Sequence, residues 1–206
     1  MRPLIVVPMK QTSAAKSRLS PILDQDRRYA LARMLYRRTL AWLSRERAHV
    51  GCDIAVVTAC ADAALLARQH DVSLIAETVP TTLSAAVARA ASWAVEAGYR
   101  RLCILPADLA EPDATDIVTL LRCDSDVALA PSADLGTNAM ALTLPTRMRF
   151  YYGPNSAARH IRAAGTLGLT ASLVPLESLK HDIDTETCLR RAAQSDAELA
   201  SVFAQA

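Results

Sequence analysis

Two aspartates one residue apart, Asp182-Ile183-Asp184, stand near the C-terminal end of this chain, and a lone Asp108 follows an apolar run far upstream. That run, Leu102-Cys103-Ile104-Leu105-Pro106-Ala107-Asp108, breaks at proline and then offers a carboxylate. Magnesium is a hard cation that takes oxygen ligands, commonly one or two carboxylates together with substrate phosphates. Carboxylates at two strand ends therefore suit a Mg²⁺-dependent nucleotide enzyme. Any one of the three, taken alone, reads equally well as a helix cap or a solvated turn residue. Their surroundings have to decide.

Three further segments carry polar groups suited to anions. The loop 10–20 holds Lys10, Lys16, Ser17 and Arg18 and contains no glycine. Cations there can neutralise a triphosphate and the charge that develops on departing pyrophosphate, although an ordinary solvated basic loop has the same composition. Gly136-Thr137-Asn138 enters a strand, and Gly153-Pro154-Asn155-Ser156 stands immediately before a helix. Asn155 or Ser156 can cap that helix, whose free N–H groups form an anion site. Arg159, His160 and Arg162 follow within two turns. Cations near a helix N-terminus oppose its dipole, a conflict that a bound anion would resolve. On this reading Gly153, Ser156 and Arg159 make a phosphate or carboxylate pocket, while His160 by itself reads as a structural or surface histidine. The chain has neither a P-loop nor a GxGxxG motif, so neither of the nucleotide-binding folds built on them is supported.

The elements that must position these residues alternate in type. Short β-branched and apolar runs predict strands at 4–7, 54–58, 72–76, 101–105 and 126–130. Between them, helical periodicity predicts helices at 24–45, 62–70, 84–97 (ended by Gly98) and 112–121. The remainder reads as a strand at 138–144, a helix at 155–164, a strand at 169–175 and one C-terminal helix over 185–203. Strands alternating with helices argue for a parallel sheet covered on both faces, and ligands of such sheets gather beyond the carboxyl ends of the strands. The candidate residues fall in those loops. With 206 residues, no repeat and no linker, the chain reads as one domain, 1–206.

Composition narrows the partners. A net charge of +2 without a basic block does not indicate a nucleic-acid partner, and the arginines between Arg27 and Arg47 read as a solvated helix face. The five cysteines are scattered, without CxxC spacing, which points to free thiols in the cytoplasm and to neither a zinc site nor a disulfide frame. Cys103 is a core residue of its strand. No segment is long enough to span a membrane.

Taken in order, Val7-Pro8-Met9-Lys10, Ala15-Lys16-Ser17-Arg18-Leu19, Pro106-Ala107-Asp108-Leu109, Gly136-Thr137-Asn138, Tyr152-Gly153-Pro154-Asn155-Ser156 with Ala158-Arg159-His160, and Asp182-Ile183-Asp184-Thr185 run across nearly the whole chain. They resemble the small guanylyltransferases of coenzyme F420 biosynthesis, which act on 2-phospho-L-lactate, phosphoenolpyruvate or 3-phosphoglycerate. The resemblance implies a three-layer α/β/α, Rossmann-like nucleotidyltransferase fold of the GT-A-like kind, with a mostly parallel mixed sheet. It implies transfer of GMP from GTP to a three-carbon phospho-acid, with release of pyrophosphate. Asp108, Asp182 and Asp184 would then hold Mg²⁺. Pro8, Lys10, Lys16, Arg18, Ser84 and Asp108 would handle the nucleotide, with Lys10, Lys16, Arg18 and Asp108 taking part in catalysis. Thr137, Gly153, Ser156, Arg159 and His160 would hold the acid. A homodimer, and hand-over of a reactive product to the next transferase of the pathway, are further expectations.

Two departures from the family pattern bear on this. Thr82-Leu83-Ser84 stands where Gly-Leu-Asn is expected, and Asp134-Leu135-Gly136-Thr137-Asn138 where Gly-Thr-Gly-Thr-Asn is expected. The first bears on nucleotide affinity or base choice. The second makes the rim of the acid site bulkier and more acidic. A degenerate homologue that binds nucleotide or a partner without turnover is therefore one alternative. A nucleotidyltransferase with another acceptor, such as a pterin cofactor or a sugar phosphate, is the other. Those enzymes usually open with a glycine-rich loop ending in arginine, which loop 10–18 is not.

Overall fold

A computed structural model describes residues 2–9 and 16–204 of the chain. Strand β1 (Leu4–Pro8) shows why its sequence is a continuous apolar run: Leu4, Ile5, Val6 and Val7 are all buried. A strand in the middle of a parallel sheet has helices over both faces, so neither set of alternating side chains meets water. β2 (Asp53–Thr58), β3 (Ser73–Ala76) and β4 (Arg101–Ile104) add parallel to it. β5 (Val127–Pro131), β6 (Thr137–Thr143) and β7 (Ala171–Leu173) complete seven strands in the order β3-β2-β1-β4-β6-β5-β7. Only β6 runs against its neighbours, β4 and β5. The mostly parallel mixed sheet agrees with the expectation. β7 is shorter than the 169–175 segment that its apolar pattern suggests.

Helices α1 (Gln25–Val50), α2 (Ala61–Gln69) and α4 (Ala114–Arg122) pack on one face, where Tyr36, Leu40, Ala63, Leu66, Ile117 and Leu120 meet the sheet. α3 (Leu83–Glu96) and α5 (Ser156–Gly165) cover the other through Ala86, Val87, Ala90 and Ala164. This is the three-layer α/β/α arrangement. α1 begins where Asp24 accepts the N–H of Arg27 at 2.8 Å and ends where Gly51 takes φ 68°, a left-handed turn that suits glycine.

The predicted single C-terminal helix is two helices, α6 (Glu186–Ala193) and α7 (Ala197–Ala204). Asp196 starts the second by accepting the N–H groups of Glu198 and Leu199 at 3.0 and 3.1 Å, and Arg38 holds its other oxygen at 2.5 Å. The turn lets Leu189 and Leu199 reach one cluster with Leu19, Leu23, Leu31, Leu35 and Ile183. That third cluster lies beneath the loops that carry the charged site. Among the described residues, no helix is long and apolar enough to cross a membrane.

Candidate active site

Asp108 and the Asp182–Asp184 segment are brought together by backbone pairing. Leu109 and Asp182 form an isolated antiparallel bridge, the N–H of Ile183 donates to the carbonyl of Asp108 at 2.9 Å, and that of Ala110 donates to His181 at 3.1 Å. Ile183 is fully buried in the third cluster. With the isoleucine anchored inward, Asp184 shares Lys16 with Asp108, and the Asp182 carboxyl feels the charge of Asp108.

Lys16 closes this group. Its ammonium lies 2.6 Å from Asp108 Oδ2 and 3.8 Å from Asp184 Oδ1, and the residue is buried. Its backbone takes φ 58° and ψ 37° at the start of a short 3₁₀ turn, Ser17–Leu19. A lysine in the left-handed region costs about 1–2 kcal/mol, the kind of strain that persists where surrounding contacts over-determine it. Arg18 lies 3.4 Å from Asp184 Oδ2 and 3.7 Å from Asp134 Oδ2. Burial first, and then the charge of Asp108, raise the Asp182 carboxyl above its usual range. Among the described residues it has no ion-pair partner closer than 4 Å. Lys10, an expected member of the site, lies outside the described residues.

A cleft of about 220 Å³ opens beside these charges. Its apolar lining comes from Pro8, Met9, Leu83, Ile104 and Tyr152, and its polar lining from Lys16, Asp108, Thr137 and Asn138. It sits beyond the ends of β1 and β4, where an open α/β sheet binds ligands. Ser84 is braced elsewhere: its hydroxyl accepts the N–H of Tyr152 at 3.2 Å, while Thr82 caps α3 through the N–H of Ala85.

At the far corner of the cleft, Thr137 Oγ1 lies 3.1 Å from His160 Nδ1 and accepts from Ser156 Oγ at 3.0 Å. His160 Nε2 accepts the N–H of Tyr151 at 2.9 Å. The ring is fully buried, and burial, followed by the charge of Arg159, pushes its pKa down to about 4. Of the two readings open to this histidine from sequence, structural or surface, its full burial and two hydrogen bonds favour the first. Arg159 stacks over the Tyr151 ring at 5.3 Å. Gly153 takes φ 116° and its carbonyl accepts the N–H of Ser156, a turn only glycine adopts without strain. Asn155 starts α5 at φ 54° without a side-chain cap; Ser156 spends its hydroxyl on Thr137.

Some residues were missed as members of the site. Asn138 lines the cleft and donates to the carbonyl of Leu179 at 2.9 Å, tying β6 to the strap that leads into Asp182. The Tyr152 hydroxyl is buried with no hydrogen-bond partner among the described residues. Both lie inside the segments that carried the resemblance, which was the available signal. Asp134, singled out in the sequence as an acidic addition to the rim, has Arg18 as its partner, which the sequence did not show. The tight turn before β6 needs Gly136, where a Cβ would come within 2.6 Å of Ser132 Oγ. Leu135 beside it has φ 64° and is 65 % exposed.

Comparison with known proteins adds to this geometry. The family model described as "Guanylyl transferase CofC like" matches residues 3–192. The 3-phospho-D-glycerate guanylyltransferase of Colwellia psychrerythraea is 35 % identical over 190 residues, covering 90 % of this chain and 88 % of that protein. The phosphoenolpyruvate guanylyltransferase of Chloroflexus aurantiacus is 30 % identical over 183 residues, covering 87 % and 89 %. Among solved structures, a nucleotidyl transferase from Methanothermobacter thermautotroptrophicus superposes with a TM-score of 0.63 at 13 % identity, over 95 % of this chain and 99 % of its own. A 4-diphosphocytidyl-2C-methyl-D-erythritol synthase from Anaerococcus prevotii gives 0.61 at 9 %, over 97 % and 96 %. At such identities these two speak for the nucleotidyltransferase fold alone. With a family match across most of its length and relatives at 30 % identity or more, the chain belongs to the CofC-like guanylyl transferases.

Proposed function

We propose that this protein transfers GMP from GTP to the phosphate of a three-carbon phospho-acid, releasing pyrophosphate, as a step of coenzyme F420 biosynthesis. The observation that carries the reading is the buried Lys16 held between Asp108 and Asp184, beside a cleft whose far corner presents hydroxyl groups. In the reaction an oxygen of the acceptor phosphate bonds to the α-phosphorus of GTP. The bond from that phosphorus to the α–β bridging oxygen breaks, and pyrophosphate leaves with the electron pair. A phosphate monoester has a second pKa of about 6 and is already largely dianionic at neutral pH. No general base is needed, and positioning with charge neutralisation suffices.

The carboxylates fit a magnesium ion by their chemistry. Among the described residues, no three ligating side chains converge closely enough to hold a metal by themselves. Magnesium asks for less, one or two carboxylates completed by substrate phosphates and water. The cation already between Asp108 and Asp184 is an ammonium, and Asp182 beside it is a destabilised carboxylate. Asp108, Asp182 and Asp184 would hold the ion, which when bound polarises the α-phosphate. Lys16 and Arg18, with Lys10, neutralise the polyphosphate. Pro8 and Leu83 border the nucleotide, and Ser84 holds the Tyr152 backbone beside it. Thr137, Gly153, Ser156 and Arg159 orient the acid. The product is a reactive acid-guanylate anhydride, which suits direct hand-over to the next transferase. A homodimer and a cytoplasmic location complete the reading.

The test is pyrophosphate release from purified protein with GTP and Mg²⁺, offering 3-phospho-D-glycerate, phosphoenolpyruvate and 2-phospho-L-lactate in turn. Release with one acid, absent in Asp108→Ala, is expected and names the acceptor. Silence with all three, while GTP still binds, would refute the acceptor class.

A further inference from the structure

The hydrogen bonds around Thr137 fix the direction of each proton. The backbone N–H of Tyr151 can only donate, so His160 Nε2, 2.9 Å away, must accept and carries no proton. A neutral imidazole then has its proton on Nδ1, which lies 3.1 Å from Thr137 Oγ1. Ser156 Oγ donates to the same oxygen at 3.0 Å. A hydroxyl has two lone pairs and one proton. With both lone pairs filled from behind, Thr137 keeps a single capacity, to donate, and the residue lines the cleft.

Resting on the proposed function above, we propose that His160 is a positioning residue which, as the neutral Nδ1–H tautomer and together with Ser156, makes Thr137 an obligate hydrogen-bond donor aimed at an acceptor-only oxygen of the phospho-acid. A fully ionised carboxylate or phosphate oxygen satisfies that corner. A hydroxyl or protonated acid presenting its own O–H toward Thr137 leaves two protons facing each other and is rejected. The site reads the ionisation of its ligand through a side chain that never touches it.

Several features support this assignment over a purely structural histidine. The low pKa, caused by burial and then by Arg159, keeps the ring neutral at physiological pH. The ring is wedged edge-on against Tyr152 at 5.3 Å and beside Tyr151, so it has one orientation. The Tyr151–Tyr152 backbone is itself held from the other side, by the Ser84 hydroxyl on the N–H of Tyr152. The chain Tyr151 N–H, imidazole, Thr137 hydroxyl therefore runs in one direction only.

Two measurements test the proposal. The first needs no ligand: a long-range ¹H–¹⁵N spectrum of ¹⁵N-histidine-labelled wild-type protein at pH 7, with the ring assigned by the signal lost in His160→Asn. A neutral ring protonated at Nδ1 is expected, and an Nε2–H tautomer or an imidazolium overturns the inference. The second compares His160→Asn with His160→Gln in calorimetric titrations with phosphoenolpyruvate and 3-phospho-D-glycerate. The asparagine amide nitrogen falls near the Nδ1 position and can still donate to Thr137, whereas glutamine reaches the Nε2 position and leaves that donor out. Glutamine should weaken the acid roughly tenfold or more, with GTP affinity unchanged, and asparagine should recover most of the loss. In a Thr137→Val background the difference between the two should vanish. Equal effects of both variants, or a difference that persists without the Thr137 hydroxyl, overturn the inference while leaving the proposed reaction intact. A wild-type protein that binds neither acid overturns the proposed reaction, and the acid-reading role falls with it whatever the ring spectrum shows.

Discussion

Acidifying the protein from pH 7.5 to pH 5 should weaken its fold through His160. The imidazole has a pKa of about 4 in the folded chain and about 6.5 when unfolded. Between those values the unfolded state binds the extra proton, so stability rises with pH in that window and is lost as pH falls through it. The difference of about 2.5 units corresponds to a ceiling of about 3.4 kcal/mol at about 1.36 kcal/mol per unit. Integrating from pH 7.5 to pH 5 gives a loss of about 2 kcal/mol. Other groups work around this figure without cancelling it. The carboxyls of Asp113, Asp126, Asp134, Asp196 and Glu177 are held below their usual values and lose their contributions mostly below pH 5. Asp182 has its carboxyl raised and works in the opposite sense, gaining stability as it protonates. Guanidinium unfolding at a series of pH values isolates the histidine when the profile of His160→Gln is subtracted from that of the wild type. A difference below about 0.5 kcal/mol between pH 7.5 and 5 would refute the neutral buried ring.

Three other perturbations address separate links. On the proposed reaction, Lys16→Met should lower kcat for pyrophosphate release by roughly 10²–10³-fold, because its ammonium, buried beside Asp108, is the group proposed to neutralise the developing charge; a change confined to the KM for GTP would assign it to ground-state binding. Tyr152→Phe removes a buried hydroxyl that has no hydrogen-bond partner among the described residues, so it should stabilise the free protein by about 1 kcal/mol with unchanged kinetics. A raised KM for either substrate would instead mean that a ligand supplies the missing partner. Leu135→Gly should relieve the positive φ at that residue and stabilise by about 0.5–1 kcal/mol, part of the gain being offset by glycine's freedom in the unfolded chain. An unchanged or lower melting temperature would contradict that account of the turn.

Much of the fold was readable because it is written in local patterns. Leu4–Val7 and Leu102–Leu105 are apolar throughout since both their faces are covered, and Asp108 was conspicuous because it ends such a run. Asp182 and Asp184 were legible as a pair, and the buried Ile183 explains the spacing. What the sequence hid depends on contacts between distant segments. Nothing local says that Lys16 reaches the carboxylates, which the Leu109–Asp182 bridge gathers beside it, or that His160 lies beneath Thr137, which is decided by how β6 and the Tyr151–Gly153 turn meet α5. The C-terminal break was missed because no glycine or proline marks it. Ser195-Asp196 was the available capping signal, and helical periodicity continues on both sides of it.

The bridge between Leu109 and Asp182 makes the charged site depend on a segment that follows every strand of the sheet in the chain. Asp182, Asp184 and the apolar residues of α6 and α7 are synthesised after β7. Leu19, Leu23, Leu31 and Leu35, which precede β2, wait uncovered until that segment arrives. The sheet can assemble on the nascent chain before the charged site is complete. Truncation after β7, or local release of the segment 182–204, leaves a folded sheet with Asp108 but without the Asp182–Asp184 pair, so activity and foldedness can be lost separately.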